Sequence, residues 1–170
     1  EAGIRDLVRS RGLGDEYKRQ HLVMADVTQP DWPAALRPLT PAGDRFDAIY
    51  LLALLHHLPG FELRAAVLRQ ARQLLAPGGV LIVSYWQFLD EARWQERVLS
   101  WETVGLTARD VEAGDALLDW RRDGPGLRYV HHVTPAEASD LARAAGLQVS
   151  ESYYADGQSK RLNLFQICRA

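Results

Sequence analysis

The chain is almost without cysteine: Cys168 is the only one in 170 residues. That excludes an internal disulfide and a cysteine-rich metal cluster, and it fits a reducing cytoplasm. Lysine is nearly as scarce. Only Lys18 and Lys160 are present, so arginine carries the positive charge. With the abundance of Leu, Ala and Gly, this bias reads as high-GC bacterial codon usage. No apolar run reaches the roughly 18 residues of a membrane span. The polar opening Glu1-Ala2-Gly3-Ile4-Arg5-Asp6 predicts no secretory signal. A large charge excess is also missing. The formal charge of −2 argues against indiscriminate polyanion binding and leaves room for a local basic face.

What the chain does have is core: 47% of its residues are apolar, enough for the one domain that its length predicts. Its organising stretch begins Phe46-Asp47-Ala48-Ile49-Tyr50-Leu51-Leu52-Ala53-Leu54, a continuous apolar run. Such a run predicts a strand buried on both faces. Pro59-Gly60 turns the chain, and residues 61–75 carry a helical stripe of Leu63, Val67, Leu68, Ala71, Leu74 and Leu75. Arg64, Arg69, Gln70 and Arg72 are expected to face water. Pro77-Gly78-Gly79 ends that helix and a strand follows over 80–84. Strand, helix, strand implies a parallel pair joined by a crossover.

Around this unit the pattern predicts a short helix over 3–11, stopped by Gly12 and Gly14, and a short buried strand over 21–25 ending at Asp26. Residues 88–107 read as a helix or helix pair, with Trp94 and Trp101 seven apart on one face. Residues 110–126 read as loop and 127–133 as a short extended segment. Thr134-Pro135-Ala136-Glu137 is a helix start, with Thr as N-cap, Pro at the first position and Glu at the third. Two strands, 147–154 and 162–168, then form an antiparallel hairpin.

Three segments together resemble the class I S-adenosylmethionine-dependent methyltransferases: Phe46-Asp47-Ala48-Ile49-Tyr50, Leu54-Leu55-His56-His57-Leu58 and Leu74-Leu75-Ala76-Pro77-Gly78-Gly79-Val80-Leu81-Ile82. The resemblance implies an α/β fold with a Rossmann-like doubly wound sheet. That sheet is expected to be mostly parallel, with the terminal hairpin antiparallel. Residues 1–170 are then a single methyltransferase domain, with 88–133 as a substrate-side insertion. The family's first strand and its glycine-rich turn have no counterpart here, since Gly12-Leu13-Gly14 follows a helix and not a strand. The expectation is that the first strands lie upstream, or that the chain is a degenerate relative. In either case these residues alone should bind the cofactor weakly.

Downstream, Ser84-Tyr85-Trp86-Gln87-Phe88, Gly114-Asp115-Ala116-Leu117-Leu118-Asp119-Trp120 and Arg128-Tyr129-Val130-His131-His132 resemble the tRNA methyltransferases that esterify 5-carboxymethyluridine at the wobble position. Asp119 stands where that family has Pro, and Val130 where it has a second Tyr. The implied acceptor is tRNA, with a small molecule as the alternative. A non-catalytic methyltransferase-like subunit that binds RNA or activates a partner is the other class.

The resemblance sets the candidate sites. S-adenosylmethionine is expected at Asp26, Val27, Leu51, Leu52 and His56. At a strand's carboxyl end, Asp26 suits an adenine amino group and the Val27 amide a ring nitrogen; the alternative is an Asp that caps its own turn. His56-His57 lacks carboxylate or thiol companions at ligand spacing, so a structural, cofactor-adjacent pair is expected and no metal. Acceptor binding is assigned to Trp86, Trp120, Arg121, Arg122, Arg128, Tyr129 and His131, because exposed bases stack on aromatic rings and phosphates attract arginine. The alternative is a solvated arginine pair and tryptophans packed over the sheet. No general acid or base is expected. A carboxylate acceptor is already a nucleophile at neutral pH, so alignment and exclusion of water are what the protein must supply.

Overall fold

The segment after Pro59-Gly60 forms α1 (Phe61–Gln73), and its apolar stripe decides where the helix lies. In the computed structural model, which describes residues 21–39, 45–120 and 126–170, Ala65, Val67, Leu68 and Ala71 are buried against the central sheet. Val67 and Leu68, fully removed from water, contribute about 1.5–3 kcal/mol each. The sheet is ordered β1 (Phe46–Leu51), β2 (Leu75–Trp86), β7 (Asn163–Arg169), β6 (Gln148–Ala155). The β1–β2 pair is parallel, as the strand–helix–strand pattern predicts. β7 pairs antiparallel with both β2 and β6, which makes the expected terminal hairpin. Among the described residues the sheet is therefore mixed, with one parallel ladder and two antiparallel ones, and not mostly parallel.

Alternation along the strands fixes the core. Ile49 and Leu51 of β1, Leu81, Val83 and Tyr85 of β2, and Leu164 and Cys168 of β7 share one face with α1 and α3 (Pro135–Ala144). Thr134 caps α3 as expected, its Oγ accepting from the Glu137 amide at 3.2 Å. Gly79 lets β2 cross close to β1: a Cβ there would meet the carbonyl oxygens of Ala76, Phe46 and Asp47 at 3.0–3.1 Å.

Other expectations are corrected as well. β1 is not buried on both faces. Among the described residues it has β2 as its one neighbour and lies at the edge of the sheet, with Tyr50 60% exposed on the face away from the helices. Residues 21–25 form no strand, because no described strand pairs with them; Leu22 and Met24 are 94% and 98% exposed. Arg64 does not face water but is 1% exposed, its charge drawn inward by two carboxylates described below. Residues 88–107 are not a helix pair. They comprise short 3-10 turns at Phe88–Asp90 and Trp101–Val104, the single turn α2 (Ala92–Gln95) and β3 (Val98–Leu99). The helix is broken because β3 pairs with β4 (Asp115–Trp120) and Arg97 reaches the Asp119 carboxylate at 2.8 Å, so Trp94 and Trp101 share no helical face.

β4 is also where a loop is expected, since flanking glycines hide the strand between them. It pairs antiparallel with β5 (Gly126–His131), giving a second sheet ordered β3-β4-β5. Ala116, Leu118 and Val130 pack a smaller core with Phe88, against which Trp86, Leu89 and Trp94 lie. The helix expected over 3–11, with Gly12 and Gly14, lies outside the described residues. No helix among the described residues is long and apolar enough to cross a membrane.

Candidate functional site

The carboxyl ends of β1 and β2 open onto the second sheet. Open α/β sheets bind ligands at such an end. β1 stops at Leu51, and Ala53 then takes a left-handed backbone conformation, φ 52°, with its N–H donating to Ser84 Oγ on β2 at 2.9 Å. A non-glycine residue held there costs on the order of 1 kcal/mol, and such strain collects at functional sites. The 3-10 turn Leu55–His57 follows and aims two imidazoles at the second sheet.

From there the rings run in a ladder. Trp94 lies 4.7 Å from Trp86, centroid to centroid, Trp86 5.7 Å from His56, and His56 4.2 Å from His57. His57 Nε2 stands 2.6 Å from the Arg128 guanidinium, which lies 4.2 Å over the Trp120 ring. His56 is 3% exposed and its Nδ1 has no hydrogen-bond partner among the described residues. Burial, with His57 and Arg128 adding to it, pushes the His56 pKa down to about 3, so the ring is neutral. Burial and then Arg128 hold His57 below its ordinary value too, while burial lowers Arg128.

Trp86, Trp120, Arg128 and His56 are thus brought together, with Leu51 buried and Leu52 exposed at the same strand end. Tyr129 and His131 are not part of this group. The β4–β5 register places Leu118 opposite Arg128 and Trp120 opposite Gly126 on one face, and Asp115 opposite His131 and Leu117 opposite Tyr129 on the other. Arg121 and Arg122 lie outside the described residues. Asp26 is fully exposed and closes its own turn, accepting from the Thr28 amide at 3.0 Å, Thr28 Oγ1 at 2.7 Å and Gln29 Nε2 at 3.3 Å. Those bonds hold its carboxyl below the usual range, and a carboxylate has room for a further donor. Val27 is half-buried against the main core.

The far face of the β4–β5 sheet carries a charge cluster that the sequence reading missed, with Arg64 and His131 buried and Glu112 at its exposed rim. Arg64 ion-pairs with Glu112 at 2.7 Å and Glu137 at 2.9 Å and donates to the Leu58 carbonyl at 2.9 Å. His131 lies between Asp115 (Nδ1–Oδ1 2.6 Å) and Glu137 (Nε2–Oε2 2.9 Å), and the Tyr129 hydroxyl donates to Asp115 at 2.6 Å. Glu137 therefore does not close a capping box on Thr134; its carboxylate is spent on Arg64 and His131. Ligand atoms of Glu112, Asp115 and His131 lie within 4.8 Å of one another. Arg64 brings a fixed positive charge to this set through Glu112 and Glu137. The sequence signal for the cluster was Gly114-Asp115: a Cβ at residue 114 would meet the His132 carbonyl at 3.0 Å and His131 Cε1 at 3.2 Å.

The family model described as a methyltransferase domain matches residues 9–152. The chain belongs to that family. Solved structures agree with the methyltransferase domain in fold. An S-adenosylmethionine-dependent methyltransferase from Methanosarcina mazei aligns at 18% identity and TM-score 0.55, over 74% of this chain and 61% of its own. One from Clostridium acetobutylicum aligns at 8% identity and TM-score 0.53, over 85% and 62%. The 1,6-didemethyltoxoflavin-N1-methyltransferase of Burkholderia thailandensis, solved with 1,6-didemethyltoxoflavin and S-adenosylhomocysteine, aligns at 17% identity and TM-score 0.53, over 96% and 58%. This methyltransferase domain thus spans about three-fifths of the length of those structures. No curated protein sequence matches it.

The fit of the described residues to the family's donor, S-adenosylmethionine, can be judged from their chemistry. A sulfonium is a cation, and a cation aimed at it would repel it. At the end of β1 stand exposed, apolar Leu52 and buried, neutral His56, neither of which carries a positive charge. That wall suits the donor.

Proposed function

We propose that the chain is the acceptor-side portion of an S-adenosylmethionine-dependent methyltransferase whose acceptor is a carboxylate borne on a planar ring: 5-carboxymethyluridine at a tRNA wobble position. The observation that carries this reading is Arg128. Its guanidinium is half-buried, stacked on Trp120 and bonded to a neutral imidazole, and no carboxylate among the described residues pairs with it. A guanidinium fork without an anion matches a substrate carboxylate or phosphate. Half-buried rings beside it suit an unstacked base.

Leu51, Leu52 and His56 would hold the donor at the end of β1, with Asp26 and Val27 toward its adenine. When bound, the donor supplies a methyl group activated by a positive sulfur. The chain's own residues do the rest by placement. Arg128 holds the acceptor anion, Trp120 and Trp86 bracket its ring, and the apolar packing of Phe88, Leu89 and Trp94 behind Trp86 keeps water away. An ionised carboxylate needs no base to attack, so the neutral His56 and His57 have no proton to take.

The test is methyl transfer by the full-length protein to tRNA carrying 5-carboxymethyluridine. Formation of a base-labile methyl ester is expected. Transfer to a small acid or amine in preference to the tRNA would replace the acceptor, and no transfer to any acceptor would point to the non-catalytic class.

A further inference from the structure

His57 makes two contacts that together fix its chemical state. Its Nε2 faces an Arg128 nitrogen at 2.6 Å, and its Nδ1 faces the Tyr129 carbonyl oxygen at 3.4 Å. A guanidinium has five N–H donors and no acceptor, so Nε2 must present its lone pair. A carbonyl only accepts, so Nδ1 must carry the proton. Both neighbours demand the same neutral tautomer. Arg128 is then held on two sides, by His57 at one edge and by Trp120 under its face.

We infer that His57 is a positioning residue: while neutral, it orients the Arg128 guanidinium so that its remaining N–H groups receive the acceptor's carboxylate. This rests on the function proposed above and deepens it by making acceptor capture depend on a histidine that touches neither donor nor acceptor. Protonation of His57 removes the lone pair and sets two cations against each other, and Arg128 must then swing off. The charged and titratable groups facing His57 are His56 on its own turn and Arg128 on β5; β2 presents Trp86 through the His56 ring. No carboxylate of those elements offsets the added charge.

The test measures binding of 5-carboxymethyluridine nucleoside by calorimetry from pH 7.5 to 5, with uridine as control. Wild type, His57→Gln, His57→Leu and Arg128→Leu are compared at temperatures where each remains folded. Gln keeps an acceptor at similar reach and does not titrate. Expected are wild-type binding that weakens on acidification, His57→Gln binding close to wild type at pH 7.5 with that weakening lost, and His57→Leu binding about tenfold weaker at all pH values, as for a lost hydrogen bond to a charged group. S-adenosylmethionine binding should be the same in all four. The same pH dependence in wild type and His57→Gln, undiminished binding by His57→Leu, or no binding by wild type would each overturn the proposal. Methyl transfer to the nucleoside is scored separately. Binding that follows the expected pattern without transfer sustains the role of His57 and removes the methylation reading instead.

Discussion

His131 Nδ1 stands 2.6 Å from the Asp115 carboxylate, across a cross-strand pair that is 1% and 5% exposed at the side chains. Its other nitrogen meets Glu137. Each ring nitrogen can donate to its carboxylate when the imidazole carries both protons, so the two contacts favour the charged ring. The contact joins the second sheet to α3, and Arg64 joins both to α1 through Glu112 and Glu137.

This fixes the sign of one pH dependence. Burial works against the charged ring, but the Glu137 and Asp115 hydrogen bonds prevail and the His131 pKa is raised above 6.5. A raised folded pKa gives stability that is fully present below 6.5 and is lost as pH rises through the folded value. Melting temperature should therefore fall on the alkaline side in wild type, and this fall should flatten in His131→Gln, which begins less stable. A wild-type alkaline fall that survives the substitution contradicts the assignment.

His56 acts on the other limb. Its folded pKa of about 3 lies below 6.5, so the unfolded chain binds the extra proton between those values. Stability should drop by about 1.4 kcal/mol per pH unit from this group as pH falls below 6.5. Urea titrations at pH 6.5 and 5.0 check it: His56→Gln should lose less stability across that interval than wild type.

Removal of Arg64 should be severe, because Glu137 and Glu112 lose their shared partner beside a buried guanidinium-shaped space. Arg64→Met is expected to cost up to about 3 kcal/mol, the lower end of the range for breaking a buried ion pair, because water reaches Glu112, 40% exposed at its side chain. Arg64→Lys should recover only part, since one ammonium cannot reach both carboxylates and the Leu58 carbonyl with a fork. Thermal unfolding measures both, and near wild-type stability of Arg64→Met would show that the cluster is not structural.

Gly79 makes a sharper steric prediction. Its three nearest neighbours are backbone carbonyl oxygens, none of which can rotate away. Gly79→Ala should destabilise by about 1–3 kcal/mol, an overpacking cost, while Gly78→Ala, with open space but φ 78°, should suffer through backbone strain alone. Equal stability of Gly79→Ala and wild type would mean β1 and β2 are not in this register.

Much of the fold was legible because the local signals were unopposed. The stripe of Val67, Leu68 and Ala71, the cap at Thr134 and the apolar run of β2 each agree with their tertiary setting. The failures came where a long-range partner outbid local pattern. Trp94 and Trp101 have helical spacing, but the Val98 and Leu99 ladder to β4 divides them. Arg64 sits at a position that periodicity alone gives to solvent, and only the arrival of Glu112 and Glu137 from distant segments buries it. At the site, Trp86, Trp120 and Arg128 could be singled out from the sequence, and the structure stacks Arg128 over Trp120. The division of β5 into Arg128 on one face and Tyr129 and His131 on the other needed the strand register. His57 was read as structural, because nothing in the sequence reveals that its Nε2 meets Arg128.

The most direct test of the central claim is labelled methyl transfer from S-adenosylmethionine to tRNA with and without 5-carboxymethyluridine, using full-length wild type and Arg128→Leu. The account predicts a methyl ester only on the carboxymethylated tRNA, and a loss of about 100-fold or more in kcat/KM for the variant, as for a buried charge pair broken at one partner, with donor binding unchanged. Equal transfer to both tRNAs, or an Arg128→Leu enzyme as active as wild type, would contradict it.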